Sequence, residues 1–125
     1  MFTTDAAFSG FAVDDIEAAR AFYGDVLGLK VTDNPMGFLH LHLASGGVIL
    51  IYGKPQHDPA SFTILNFPVD DVDAAVADLN ARGVVTKIYA DDEIPTDAQG
   101  IVRGQGPDIA WFRDPAGNVL AVLSR

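Results

Sequence analysis

The chain offers few side chains that can do chemistry, and most of them sit in two short stretches. Alternate residues of a strand share a face. In "GFLHLHLA" that puts Phe38, His40 and His42 on one side and Leu39, Leu41 and Leu43 on the other. Two imidazoles two residues apart can grip a metal, exchange a proton with a substrate, or line a polar pocket. His57 and Asp58, in the loop that follows, would complete such a metal set. No cysteine is present, which removes thiolate metal sites and cysteine nucleophiles. No nucleophile, no partner to orient a catalytic base, no matched carboxylate pair and no phosphate-cradling glycine loop can be located, so no catalytic residue is assigned.

The second stretch is "WFRDPAGNVLAVLS". Pro early in a turn and Gly two residues on favour a three-residue hairpin closed by a left-handed glycine. That hairpin would pair Asp114 with Asn118 and set Trp111 across from Ala121. A small residue opposite an indole either leaves a flat aromatic surface on which a planar ligand can stack or makes room that Trp111 itself fills. Elsewhere, "SFTILNFPV" puts Phe62, Ile64 and Asn66 on one face, with Asn66 either binding ligand or satisfied by nearby backbone. The run 47–52 gives Val48, Leu50 and Tyr52 one face and Ile49 and Ile51 the other.

The elements that position these residues are duplicated. "FAVDDIEAARAFYGDVLGLKV" begins at Phe11 and "FPVDDVDAAVADLNARGVVTK" at Phe67. Each reads as strand end, aspartate pair, amphipathic helix, glycine stop and new strand. Asp14 with Glu17, and Asp70 with Asp73, are the expected helix caps. Ile16, Ala19, Tyr23 and Leu27, then Val72, Ala75, Val76 and Leu79, form the apolar stripes. Strands are expected near 6–13, 29–34, 37–44, 47–52, 61–69, 84–89, 107–113 and 118–123. The stretch 90–107 reads as a long loop, either a flap or a mobile segment, with Arg103 its only basic residue. Strand, helix and three strands, twice over, predict an α+β domain over 1–125. Its modules would span about 5–53 and 61–123.

Composition sets outer bounds. Seventeen acidic against eight basic residues give a net charge of −9, which disfavours nucleic acid and anionic lipid as partners. By itself this charge favours a cationic or neutral aromatic ligand over a polyanion. The opening "MFTTDAAF" shows no signal-peptide pattern and no apolar run is long enough to span a membrane, so a cytoplasmic location is expected.

The paired "VDD" helix starts, "FYGDVLGLKV" and "WFRDPAGNVLAVL" resemble the vicinal oxygen chelate superfamily. That superfamily includes glyoxalase I, extradiol dioxygenases, fosfomycin-resistance enzymes and bleomycin-resistance binding proteins. The resemblance covers nearly the whole chain. It implies two βαβββ modules with curved mixed sheets enclosing a cavity, helices on the outer face, and a homodimer. Enzymes of the superfamily take metal ligands from the first and last strands of each module. Carried onto this sequence, those positions are Phe8, Ile64, Leu50 or its neighbour, and Ala121. All are apolar, and none can supply the nitrogen or oxygen a divalent ion needs.

The resemblance is therefore nearest in type to the metal-free bleomycin-resistance-like binding proteins, with no metal and no cofactor. The expected ligand is a small, aromatic or hydrophobic organic compound. Its site would be lined by Phe8, Phe38, His40, His42, Leu50, Tyr52, Ile64, Asn66, Trp111 and Ala121. The competing reading is a lyase, isomerase or dioxygenase-type enzyme of the same superfamily that uses His40 and His42 as metal ligands or acid–base groups.

Overall fold

The computed structural model describes Met1–Arg125 in full. Residues Met1–Pro59 and Ala60–Arg125 form two compact units. The first contains β1 (Ser9–Val13), α1 (Ile16–Arg20), β2 (Lys30–Asp33), β3 (Leu39–His42) and β4 (Val48–Gly53). The second contains β5 (Thr63–Val69), α2 (Val72–Ala81), β6 (Ile101–Val102), β7 (Ile109–Arg113) and β8 (Val119–Ser124). The sheet orders are β1-β4-β3-β2 and β5-β8-β7-β6, the same permutation in each unit. The outer pairs β1–β4 and β5–β8 are parallel and the other neighbours antiparallel. The chain is thus α+β, with two mixed four-stranded sheets, each carrying a helix, as paired βαβββ modules require.

Both helix starts are capped one residue later than the sequence suggests. The Asp15 carboxylate accepts the Ala18 N–H at 3.1 Å, and that of Asp71 accepts the Ala74 N–H at 3.0 Å. Asp15 (φ −137°, ψ 106°) and Asp71 (φ −135°, ψ 103°) are the last extended residues before each helix. Only from that position does a short carboxylate reach the third helical N–H. Asp14 and Asp70 stand one residue too early, and Glu17 turns to Arg20 at 3.2 Å.

After Arg20 the first helix widens into a π-helical turn, Ala21–Val26, in which Leu27 N–H bonds to the Phe22 carbonyl. The extra residue in the turn accompanies the burial of two consecutive rings, Phe22 and Tyr23, which meet edge to face at 5.1 Å. Gly28 and Gly83 (φ 80° and 86°) end the two helices in the left-handed conformation, as expected.

The core of the first unit is the row Leu39, Leu41, Ile49 and Ile51, packed with Val13, Ala19 and Tyr23; that of the second joins Phe112, Leu120 and Val122 to Val76. Each large side chain so buried contributes about 1.5–3 kcal/mol.

The run 84–89 is not a strand. Asn80 Nδ2 donates to the Val84 carbonyl (2.9 Å) and to Thr86 Oγ1 (3.0 Å), and Thr86 Oγ1 donates to the Gln99 carbonyl (2.6 Å). Side chains thus hold a segment that the β-branched sequence would otherwise send into a ladder. The second strand of this module is instead the two-residue β6, inside the stretch read as loop. That stretch is tied down. Asp97 Oδ1 accepts from the N–H groups of Gln99 and Ile101, and Lys87 Nζ donates to Asp91, Thr96 Oγ1 and the Thr96 carbonyl. Arg103 reaches Asp73 on α2, with Asp97 and Asp108 also in range. No helix is long and apolar enough to cross a membrane.

Candidate functional site

In the first unit, strand alternation sorts the side chains cleanly. Phe11 meets Tyr23 of the widened turn at 5.8 Å, and a Cβ on Gly53 would touch Ile16 at 3.3 Å. Their row, with Leu39, Leu41, Ile49 and Ile51, therefore faces the helix. The opposite row carries His40 and His42, with Leu50 and Val48 as their register partners on β4, and Thr32 and Lys30 on β2. Tyr52 follows on the same row of β4, and its ring meets that of Phe38 at 6.5 Å. Phe8 lies just before β1 and is exposed.

The two histidines do not converge as chelating ligands do. Their rings are edge to face with centroids 6.4 Å apart, and Thr32 Oγ1 sits 2.7 Å from His42 Nε2. His57 is half-buried in the turn after β4, its backbone N–H bonded to the Lys54 carbonyl, and Asp58 is exposed. No group of three or more His, Cys, Asp or Glu side chains stands where it could hold a metal ion. Phe8, Leu50, Ile64 and Ala121 offer no donor atom, so the side chains present do not fit a divalent ion.

In the second unit the closing hairpin has the expected geometry. Asp114 N–H donates to the Asn118 carbonyl (3.0 Å), Gly117 takes φ 87°, and Trp111 stands opposite Ala121. The buried Asp114 carboxylate also accepts the N–H groups of Ala116 and Asn118 and the Asn118 side-chain amide. On the other side of Ala121, Asn66 is its partner across the parallel pair and is exposed.

The strict alternation of Phe62, Ile64 and Asn66 is broken by a register shift between Thr63 and Leu65. Thr63 pairs with Val119, and its Oγ1 accepts the Trp111 indole N–H at 3.1 Å. Ile64 stands at the shift itself. Tyr89 meets Trp111 edge to face at 5.4 Å. Thr63 and Tyr89 are thus neighbours of Trp111 that sequence reasoning did not single out. One was hidden by the bulge, the other by a segment without a ladder. Thr32 was also passed over, although alternation in "KVTD" across from the histidine strand would have found it.

Since Thr63 occupies the indole N–H, Trp111 can offer a partner only its ring. That is a surface for stacking and apolar contact. The first unit carries imidazole, hydroxyl and phenol groups on its histidine row, each able to form hydrogen bonds.

The sequence profile of the Glyoxalase/Bleomycin resistance protein/Dioxygenase superfamily matches residues 6–122. The chain belongs to that superfamily. Among solved superfamily-like structures, TnmS3, an antibiotic binding protein from Streptomyces sp. CB03234, shares 26% identity with 98% of each chain covered and a TM-score of 0.71. A glyoxalase/bleomycin resistance protein from the same Streptomyces strain shares 25% identity over 94% of this chain and 100% of its own, with a TM-score of 0.64. A glyoxalase family protein from Enterococcus faecalis, at 21% identity and a TM-score of 0.67, covers 99% of this chain and 100% of its own; it shares the fold. No curated protein matches the chain. For a member of the glyoxalase/bleomycin-resistance superfamily, the departure that matters most is chemical. The residues carried onto the superfamily's metal positions have only hydrocarbon side chains.

Proposed function

We propose that this protein binds and sequesters a small, aromatic or hydrophobic organic compound without a metal, as a cytoplasmic homodimer. The observation that carries this reading is Ala121 opposite Trp111: where the resemblance to superfamily enzymes expects a carboxylate ligand, there is a methyl group beside an indole ring. Likeness to an antibiotic-binding protein, at 26% identity over nearly the whole of both chains, supports binding of a small molecule. Sequestration needs no bond-making step, in keeping with a site to which no catalytic group is assigned.

Two measurements test it together. Elemental analysis of untagged protein, before and after incubation with divalent metals and desalting, should find no stoichiometric metal. Titration with polycyclic aromatic antibiotics should change the fluorescence of Trp111, the only tryptophan, and saturate. Retained metal, or conversion of the bound compound to a product, would overturn the reading in favour of an enzyme.

A further inference from the structure

The charge of the whole chain and the charge of its ligand-facing surfaces point in opposite directions. The strands of the first sheet contain one carboxylate, Asp33. It pairs in register with Leu39, on the helix-facing row, and is held by the α1 residue Arg20 at 2.6 Å. The histidine row has no acidic side chain. Its polar members are Lys30, Thr32, His40, His42 and Tyr52, and every one can donate a hydrogen bond.

The cations tell the same story. Arg20, Arg82, Lys87, Arg103 and Arg125 all lie in ion pairs. Lys30, Lys54 and Arg113 do not, and Lys30 and Arg113 stand on the faces in question. Lys30 is the register partner of His42. Arg113 is two residues beyond Trp111 on the same face of β7, opposite Val119. The three strands β5, β7 and β8 contain no carboxylate at all. So in a protein of net charge −9, each unit separately presents a ligand-facing sheet surface free of strand carboxylates and bearing an unneutralised cation.

We infer that the compound bound is an aromatic anion, one carrying a carboxylate or acidic phenolate, which Lys30 with the His40–His42–Thr32 cluster recognises on the first sheet and, separately, Arg113 beside Trp111 on the second. This rests on the small-aromatic binding reading and narrows it. Local charge outweighs net charge here because solvent-exposed charges more than about 8–10 Å away are largely screened at physiological salt. A charge in direct contact, by contrast, gains a charge-assisted hydrogen bond.

The test uses three compounds of one outline: 2-naphthoate, its methyl ester and 2-naphthylmethylammonium, titrated calorimetrically into the full-length protein. The anion should bind about tenfold or more tighter than the cation, the scale of one hydrogen bond to a charged group. In the double variant Lys30→Gln/Arg113→Gln that preference should fall to near parity while ester binding stays within about twofold, which also reports that the variant is folded. Equal or tighter binding of the ammonium compound, or an anion preference that survives both substitutions, overturns the inference and leaves aromatic binding standing. Absence of saturable binding by all three sinks the aromatic-binding reading and this one with it.

Discussion

Trp111 and Ala121 face each other across the β7–β8 ladder, and Ala121 is completely buried. The methyl group therefore limits what fits beside the indole. Replacing Ala121 with Leu adds three carbons at a site with no exposed surface and should lower stability by about 1–3 kcal/mol, measured by urea denaturation. A midpoint that does not move would mean that the space beside Trp111 is empty, and loss of affinity alone would then define it as ligand space.

The two aspartate pairs make a matched experiment. Asp15→Ala and Asp71→Ala should each cost about 1 kcal/mol, because each removes an acceptor from a helix N–H. Asp14→Ala and Asp70→Ala should be close to neutral, since the only ion pair involved, Asp70 with Arg125, is highly exposed. Thermal melts of the four single variants distinguish the pairs; equal effects within a pair would refute the assignment of the second aspartate as cap.

Gly100 takes φ +90° and packs so closely on the backbone of Thr86 that any Cβ would overlap the Thr86 carbonyl. Gly100→Ala combines a left-handed backbone with that overlap and should destabilise by about 3 kcal/mol or more. A small effect would show that the 84–89 segment gives way easily.

Acid should loosen the stretch that Arg103 holds. Asp73 is kept below the ordinary carboxylate range by its hydrogen bonds to Arg103. For Asp97, partial burial pushes upward, but the Ile101 and Gln99 N–H groups and Arg103 more than offset it, and it too is lowered. A depressed folded-state value means stability that is present above the unfolded value of about 3.9 and is lost as pH falls through the folded value. Melting temperature should therefore drop on acidification below about pH 4 more steeply in the wild type than in Arg103→Gln. Parallel curves would show that the Arg103 pairs contribute nothing to stability.

What could be read from sequence was whatever depended on local chemistry. The alternation of Leu39 and Leu41 with His40 and His42 fixed the two faces of β3, and Asp-Pro-Ala-Gly fixed the register that sets Trp111 against Ala121. Both follow from neighbours a few residues apart. The rest depended on partners far along the chain. "VVTKIY" has the composition of a strand, yet Asn80 and Gln99 take up Val84 and Thr86. Thr63 reaches Trp111 only because a bulge breaks the period of two, and no residue type in "SFTILNF" marks that bulge. Either aspartate of each pair has the chemistry of a cap; backbone angles choose between them.

The Asp114–Asn118 turn has a consequence for the order in which the second sheet assembles. Its buried polar groups are satisfied among five consecutive residues, so β7 and β8 can join by closing a very short loop. β5 must find β8 from about fifty residues away in sequence, a far costlier closure, and it supplies the parallel partner on β8's other edge. Until β5 arrives, the run Val119–Leu123 is an apolar strand with one edge unpaired, the kind of surface that recruits another chain. Aggregation during refolding should therefore be governed by how fast Thr63–Val69 docks, and a peptide of that sequence added in trans would act as its competitive shield.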